Sequence, residues 1–345
     1  MAACTNNSCA PQNLSRSEKR KVFAPDPANP QGNWEDLRNF IVSLGQPYVE
    51  HAIDVAQIEN NLHDMWDILI QTAKITPAIS PEHDRLVNLV LLAREFGIFH
   101  RKKKDGTSNE EKEEAILTNG QRFWTDLPYL VEEIQDAWTK ESKGFTVTER
   151  HNFAVFTAKL CAVGVCDTEL SFCALWLIRE ALETERSLTK SEGDGEDKNP
   201  LSIADILPAC LAWFQHNNFK LLKLAVQNYD HTPATTGDDV QLSMAPGDLA
   251  VKANVTQSGF SVARWLFWRQ RFKELSRCGN EQVAKLGKEG FDEMVRTGIA
   301  LGYDIPGEKK YWEKVFETLD QEFVARGGKD CVGPDDVEID MDWAD

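Results

Sequence analysis

The stretch Ser258 to Leu275, SGFSVARWLFWRQRFKEL, concentrates arginine and aromatic side chains more densely than any other part of the chain. A guanidinium recognises or polarises carboxylate and carbonyl oxygens, and indole and phenyl rings wall an apolar space. Together they suit a site that holds a small molecule by shape and charge, without a nucleophile or a metal. With 3.6 residues per helical turn, Trp265, Trp268, Phe272 and Leu275 fall on one side, and Arg269, Gln270, Lys273 and Glu274 on the other. Arg264 and Arg271 lie at the border of this apolar seam. Each therefore needs a partner, either a carboxylate from another helix or the anion of a ligand. The candidate catalytic groups are Arg264, Arg271 and His151, which could orient a substrate or polarise its carbonyl; Trp265, Trp268 and Phe272 are the candidate ligand-binding rings.

Other constellations are weaker. His63 stands four residues before Asp67 and beside Asp64, which reads as half a metal site, as a DxxD pair, or as a solvated helix face. The run Gly259-Phe260-Ser261-Val262-Ala263 resembles a nucleophile elbow that has lost its last glycine, but an elbow needs a parallel sheet around it. Ser261 fits better as the N-cap of the helix that follows. His151 and Cys161 could meet as base and nucleophile, although Cys161 has the apolar neighbours of an inert core thiol. Glycine-rich phosphate loops, CxxC pairs and HExxH are all missing, so no cofactor and no metal is called for.

The elements that must carry these residues read as helices. Trp34, Leu37, Ile41 and Leu44 repeat at helical spacing up to Gly45; Leu62, Trp66, Leu69 and Ala73 follow; then Ser80 and Pro81 supply a cap and a first helical position for Leu86 to Ala93. The basic run Arg101 to Lys104 reads as a solvated loop or a short nuclear address. Residues 110 to 140 read as helix divided at Pro128, and Phe153, Phe156, Leu160 and Val163 line a further face. Leu170 to Ile178, LSFCALWLI, is apolar nearly all round and is expected to be buried. Helical pattern returns over 207 to 214 and 219 to 226, and again over 283 to 301 and 312 to 323. The spacing predicts an all-α fold, an irregular multi-helix bundle around a buried central helix with no substantial sheet. One helical domain is expected over 33–328, with a flexible segment at 1–32, an exposed loop at 187–200 and an acidic tail at 329–345.

A net charge of −17 argues against a nucleic-acid partner. No apolar run is long enough to span a bilayer, and the first residues lack the apolar core of a signal peptide, so a cytoplasmic protein is expected. Cys161, Cys166, Cys173 and Cys210 sit among apolar residues, as reduced core thiols do.

Gly259, Phe260 and Ser261, followed by Arg264-Trp265, Trp268, Arg271-Phe272 and Leu275-Ser276, resemble the C-terminal signature of a family of uncharacterised filamentous-fungal helical proteins, a domain of unknown function. The resemblance covers about residues 150 to 326. It implies a helical protein without a recognised catalytic set, of a kind whose genes can lie near natural-product pathways. Two functions follow as expectations. The first is a helical cup for an apolar small molecule in fungal specialised metabolism, acting as a cofactor-independent cyclase or isomerase or simply as a binder; ten Trp and seventeen Phe make an aromatic-walled pocket reasonable. The second is a helical adaptor whose grooves and acidic tail bind other proteins, without catalysis. An enclosed cavity would favour the first, a filled core with an exposed apolar groove the second. The sequence leaves the oligomeric state open.

Overall fold

The computed structural model describes residues 15–103, 112–189, 201–230, 244–329 and 331–345. Most of the expected loop at 187–200 thus lies outside the described residues. The fold is all-α, and its sheet among the described residues is one pair of short antiparallel strands. Contacts divide the chain into two compact units, Met1–Leu170 and Ser171–Asp345.

The first unit opens with α1 (Arg16–Val22), which lies inside the segment that lacks apolar periodicity. Ser15 and Glu18 form a capping box, and the helix buries no side chain of its own. Helix α2 (Pro30–Leu44) starts on an Asn29 cap with proline in its first position and ends at Gly45, before the single turn α3 (Gln46–Val49). Asp54 caps α4 (Val55–Ile75) and Ser80 caps α5 (Pro81–Glu95). Strands β1 (His100–Lys102) and β2 (Lys112–Glu114) then pair antiparallel, with Arg101 opposite Glu113. The helix expected over residues 110 to 140 is therefore shortened. Its first part forms β2, where the cross-strand charge pair favours the ladder, and α6 (Leu130–Asp136) begins after Pro128. The Pro128 carbonyl accepts the indole N–H of buried Trp66 at 2.7 Å. A π-helical turn, Ala137–Glu141, leads on to α7 (Val147–Ala162), where the ring of Trp138 stacks on Phe153.

Helix α8 (Asp167–Ile178) contains the boundary between the units. Its LSFCALWLI stretch is buried except for a partly exposed Trp176, as expected of a segment with no polar face. The chain continues as a second π-helical turn, Arg179–Glu183.

In the second unit α9 (Ile203–Val226) breaks its helical geometry at Asn217, and the short α10 (Asp248–Lys252) precedes α11 (Val262–Ser276), α12 (Glu281–Leu301) and α13 (Glu308–Ala325). Helices α9, α11 and α12 pack on one another. Phe214 of α9 meets Trp265, Trp268 and Phe272 with ring centroids 5.8, 6.3 and 5.2 Å away. On α12, Gly290 makes room for Phe272: a Cβ there would lie 2.3 Å from the ring. Full burial of such a phenylalanine contributes roughly 1.5–3 kcal/mol. The last residues, expected as a solvated tail, instead end in a short turn, Met341–Ala344, with Ala344 buried. Among the described residues no helix is long and apolar enough to cross a membrane.

Candidate functional site

Helix α11 holds the arginines from which a site can be built. Ser261 caps it, its hydroxyl accepting the Arg264 N–H at 3.2 Å. Just before the cap, Gly259 has φ +74°, and a Cβ there would come within 2.3 Å of the Tyr229 carbonyl oxygen, so the entry turn needs glycine. From the first turn Arg264 reaches the carboxylate of Glu183, both side chains being fully buried. Arg264 Nε donates to Glu183 Oε1 at 2.6 Å and Nη2 to Oε2 at 2.8 Å. The Trp268 indole N–H adds a bond of 2.6 Å to Oε1, and the Gly247 N–H one of 2.7 Å to Oε2. The remaining guanidinium donors serve the carbonyls of Met244, Gly259 and Ala245. Each carboxylate oxygen thus accepts two hydrogen bonds and each guanidinium nitrogen is engaged. Such a clasp ties four chain segments together and leaves nothing over for a ligand.

Five positions on, Arg269 is also buried, at 7% exposure, but its surroundings differ. Its Nη2 donates to the carbonyls of Pro306 and Ala344, both at 2.8 Å. Its Nη1 makes no hydrogen bond and lies 3.7 Å from Glu308 Oε1, too far for one. Glu308, 2% exposed, is the first residue of α13, and neither of its carboxyl oxygens accepts a bond of good geometry. Burial pushes its pKa up to about 8, against the opposing charge of Arg269 and the backbone of Ile299. Burial thus favours the protonated carboxyl, and Arg269 lacks a hydrogen-bonded counterion. Burial also lowers the pKa of Arg269, with Glu308 and Asp345 opposing. Beside this guanidinium lies a cleft of about 250 Å³, with Leu266 and Phe291 as its apolar walls, Gln270 at one side, and Pro306, Gly307, Ala344 and Asp345 completing it. A buried cation with a donor that makes no hydrogen bond, beside a cleft of mixed polar and apolar lining, suits a carboxylate or a carbonyl oxygen.

Residues 66–272 match a family described as a protein of unknown function, DUF3632. The chain belongs to DUF3632. A relative at 28% identity over 284 residues, covering 77% of this chain and 76% of its own length, is the oxopyrrolidines biosynthesis cluster protein G of Penicillium oxalicum (strain 114-2 / CGMCC 5302). No solved structure matches. Glu183, Arg264 and Arg269 lie inside the DUF3632 match, whereas Glu308 and the turn at 341–344 lie beyond it.

The residues singled out from the DUF3632 sequence divide accordingly. Trp265, Trp268 and Phe272 have no exposed surface and pack on Phe214 and, for Trp268, on Phe260. Arg264 is held in the clasp. Arg271 donates from Nε to the Leu182 carbonyl at 3.1 Å and pairs with Glu274 one turn on. His151 belongs to α7 of the first unit. Cys161 is buried, with its thiol bonded to the Asp167 carbonyl.

Two corrections follow. Arg269 and Lys273 are not on a wet face: residues 306–308 and the turn at 341–344 cover that side of α11. Nor are Asp67 and His63 on a solvated face, because Arg16 and Arg20 of α1 converge on Asp67 and His63 bonds Glu133 at 2.7 Å. Burial alone would raise the Asp67 pKa, but the bond from Arg20 and the charge of Arg16 hold it below the usual carboxylate range. Sequence reasoning missed Glu308 and the role of Arg269. The usable signal was Gly307-Glu308, a glutamate opening a helix behind a glycine, next to a periodic apolar face.

Proposed function

We propose that this DUF3632 protein binds a small molecule of fungal specialised metabolism in the Arg269 cleft and acts on it as a cofactor-independent isomerase or cyclase. The observation that carries the reading is the buried guanidinium whose Nη1 lacks a hydrogen-bond partner beside a cleft walled by Leu266 and Phe291. A carbonyl or carboxylate oxygen of the substrate takes that donor, and the apolar walls exclude water and fix the orientation of the rest. Glu308 sits behind the arginine as a positioning residue: in its neutral form it leaves the charge of Arg269 to the substrate. The Arg264 clasp, Arg271 and the rings of Trp265, Trp268 and Phe272 frame the cleft by fixing α11, and His151 takes no part in it. The relative from a biosynthesis cluster supports the metabolic setting.

The test is to incubate the purified protein, with and without EDTA, with extracts of the producing fungus lacking its gene, and to follow accumulated intermediates by mass spectrometry and NMR. Conversion to a product of equal mass that survives EDTA and is lost in Arg269→Lys supports the reading. Conversion that is unchanged in Arg269→Lys removes the cleft from it.

One observation favours the second reading, an adaptor for other proteins. Helix α13 leaves Phe316, Phe323 and Val324 exposed at 57%, 43% and 74%, an apolar row on one element. A protein captured reproducibly by the wild type and lost on Phe316→Ser, with no metabolite bound or converted, would select it.

A further inference from the structure

Ala344 and Asp345 line the Arg269 cleft, and the segment 340–345 that carries them makes several ion pairs. Lys273 Nζ is 2.5 Å from Asp345 Oδ1 and 3.3 Å from Asp342, and Arg277 pairs with Asp342 at 2.8 Å. These aspartates keep half or more of their side-chain surface in water, so water can compete for them if the segment moves. The Met341 sulfur lies 3.4 Å from the Ser276 hydroxyl, whose proton goes to the Lys273 carbonyl at 2.7 Å, and Trp343 meets Tyr311 at 6.5 Å between centroids. The firm point is Ala344, buried, with its carbonyl accepting from Arg269 Nη2. Its seat depends on Gly307, which has φ +85°: a Cβ there would lie 1.8 Å from the Ala344 oxygen. The segment thus places a carbonyl on Arg269 and a carboxylate on Lys273, a residue only 3% exposed.

If this segment lifts, Arg269 regains a donor on Nη2 beside the one already unpartnered on Nη1, and Lys273 loses Asp345. A guanidinium with donors free on both terminal nitrogens matches the two oxygens of a carboxylate, and the ammonium nearby adds to the attraction. Resting on the reading of Arg269 as the group that holds the substrate, we propose that residues 340–345 are a displaceable cover, and that the ligand which displaces it is an apolar carboxylic acid whose carboxylate takes the places of the Ala344 carbonyl and Asp345. The apolar part of the ligand lies against Leu266 and Phe291.

The probes are phenylacetate and its neutral counterpart phenylacetamide, applied to the full chain as wild type, as D342N/D345N, which loosens the cover, and as Arg269→Lys, which keeps the charge and loses the fork. Binding is read by calorimetry and displacement of the cover by hydrogen exchange at residues 340–345. We expect phenylacetate to speed exchange in that segment, and to bind D342N/D345N at least tenfold more tightly than the wild type. Phenylacetamide should do neither, and both effects should vanish in Arg269→Lys. Equal binding of acid and amide, no tighter binding by D342N/D345N, unchanged exchange at saturation, or failure of either compound to bind even D342N/D345N would each overturn the proposal. Any of those results seen together with Arg269-dependent conversion in fungal extracts would leave the cleft as the substrate site while removing the cover and the carboxylate.

Discussion

Arg264 and Arg269 leave the same helix five residues apart, both are buried, and each faces a glutamate. In the first pair the charges touch and every polar group is answered, by Trp268, Gly247 and three carbonyls as well as by the partner. In the second the groups stand 3.7 Å apart, one guanidinium nitrogen and two carboxyl oxygens lack hydrogen bonds, and a cleft opens beside them. Burial costs both pairs desolvation, and only the saturated one recovers it within the fold. The unsaturated pair therefore marks the place where a ligand can contribute what the chain does not. The same contrast holds against the first unit, where Asp67 and Glu133 are buried but matched by Arg16, Arg20 and His63.

The sharpest way to break the comparison is to cut both pairs from the arginine side. Arg264→Met leaves Glu183 charged and buried, and should lower unfolding free energy by about 3–5 kcal/mol in urea denaturation. Arg269→Met strands the carbonyls of Pro306 and Ala344 but removes a charge that lacked a full partner, so we expect a smaller loss of about 1–3 kcal/mol, together with loss of ligand binding. Losses of equal size would erase the distinction between the pairs. Ser261→Ala tests the helix both arginines share: it removes the cap on the Arg264 N–H and should cost about 1 kcal/mol without changing the pH dependence of stability. Smallest of all, Arg271→Met removes a half-exposed pair with Glu274 and one bond to a carbonyl, and should shift stability by no more than about 1 kcal/mol.

Much of the frame is legible in the sequence. The Ser261 cap, the seam of Trp265, Trp268 and Phe272, the need of Arg264 for an anion and the burial of Leu170 to Ile178 all follow from local spacing, and local spacing is what a helix expresses. What is not legible depends on distant chain. Glu183 is 81 residues from Arg264 and sits on a π-helical turn, so no periodicity points to it. Arg269 and Lys273 belong to the polar side of their own helix and become buried only because residues 306–308 and 341–344 fold over them. A glutamate at the start of a helix is ordinary, since the helix dipole favours a carboxylate there; that burial overrides the dipole at Glu308 is a property of the packing around it. The cover escaped notice for a related reason: a run of acids with one tryptophan reads as solvated until basic residues are placed beside it.

The protonation of Glu308 tests the contrast between the two pairs most directly. A carbon-detected NMR titration of the glutamate carboxyl groups between pH 5 and 9, with Glu308→Gln to assign the resonance, should show this carboxyl losing its proton at about 8, far above its ordinary 4.5. Because the folded chain holds the proton more tightly than the unfolded one, the stability associated with neutral Glu308 should be fully present below about 4.5 and should decline as pH rises through about 8; Glu308→Gln should abolish that decline. A Glu308 resonance already ionised at pH 5, with wild type and Glu308→Gln showing parallel stability from pH 5 to 9, would mean that Arg269 has its counterion after all, and that the second pair is a closed clasp like the first.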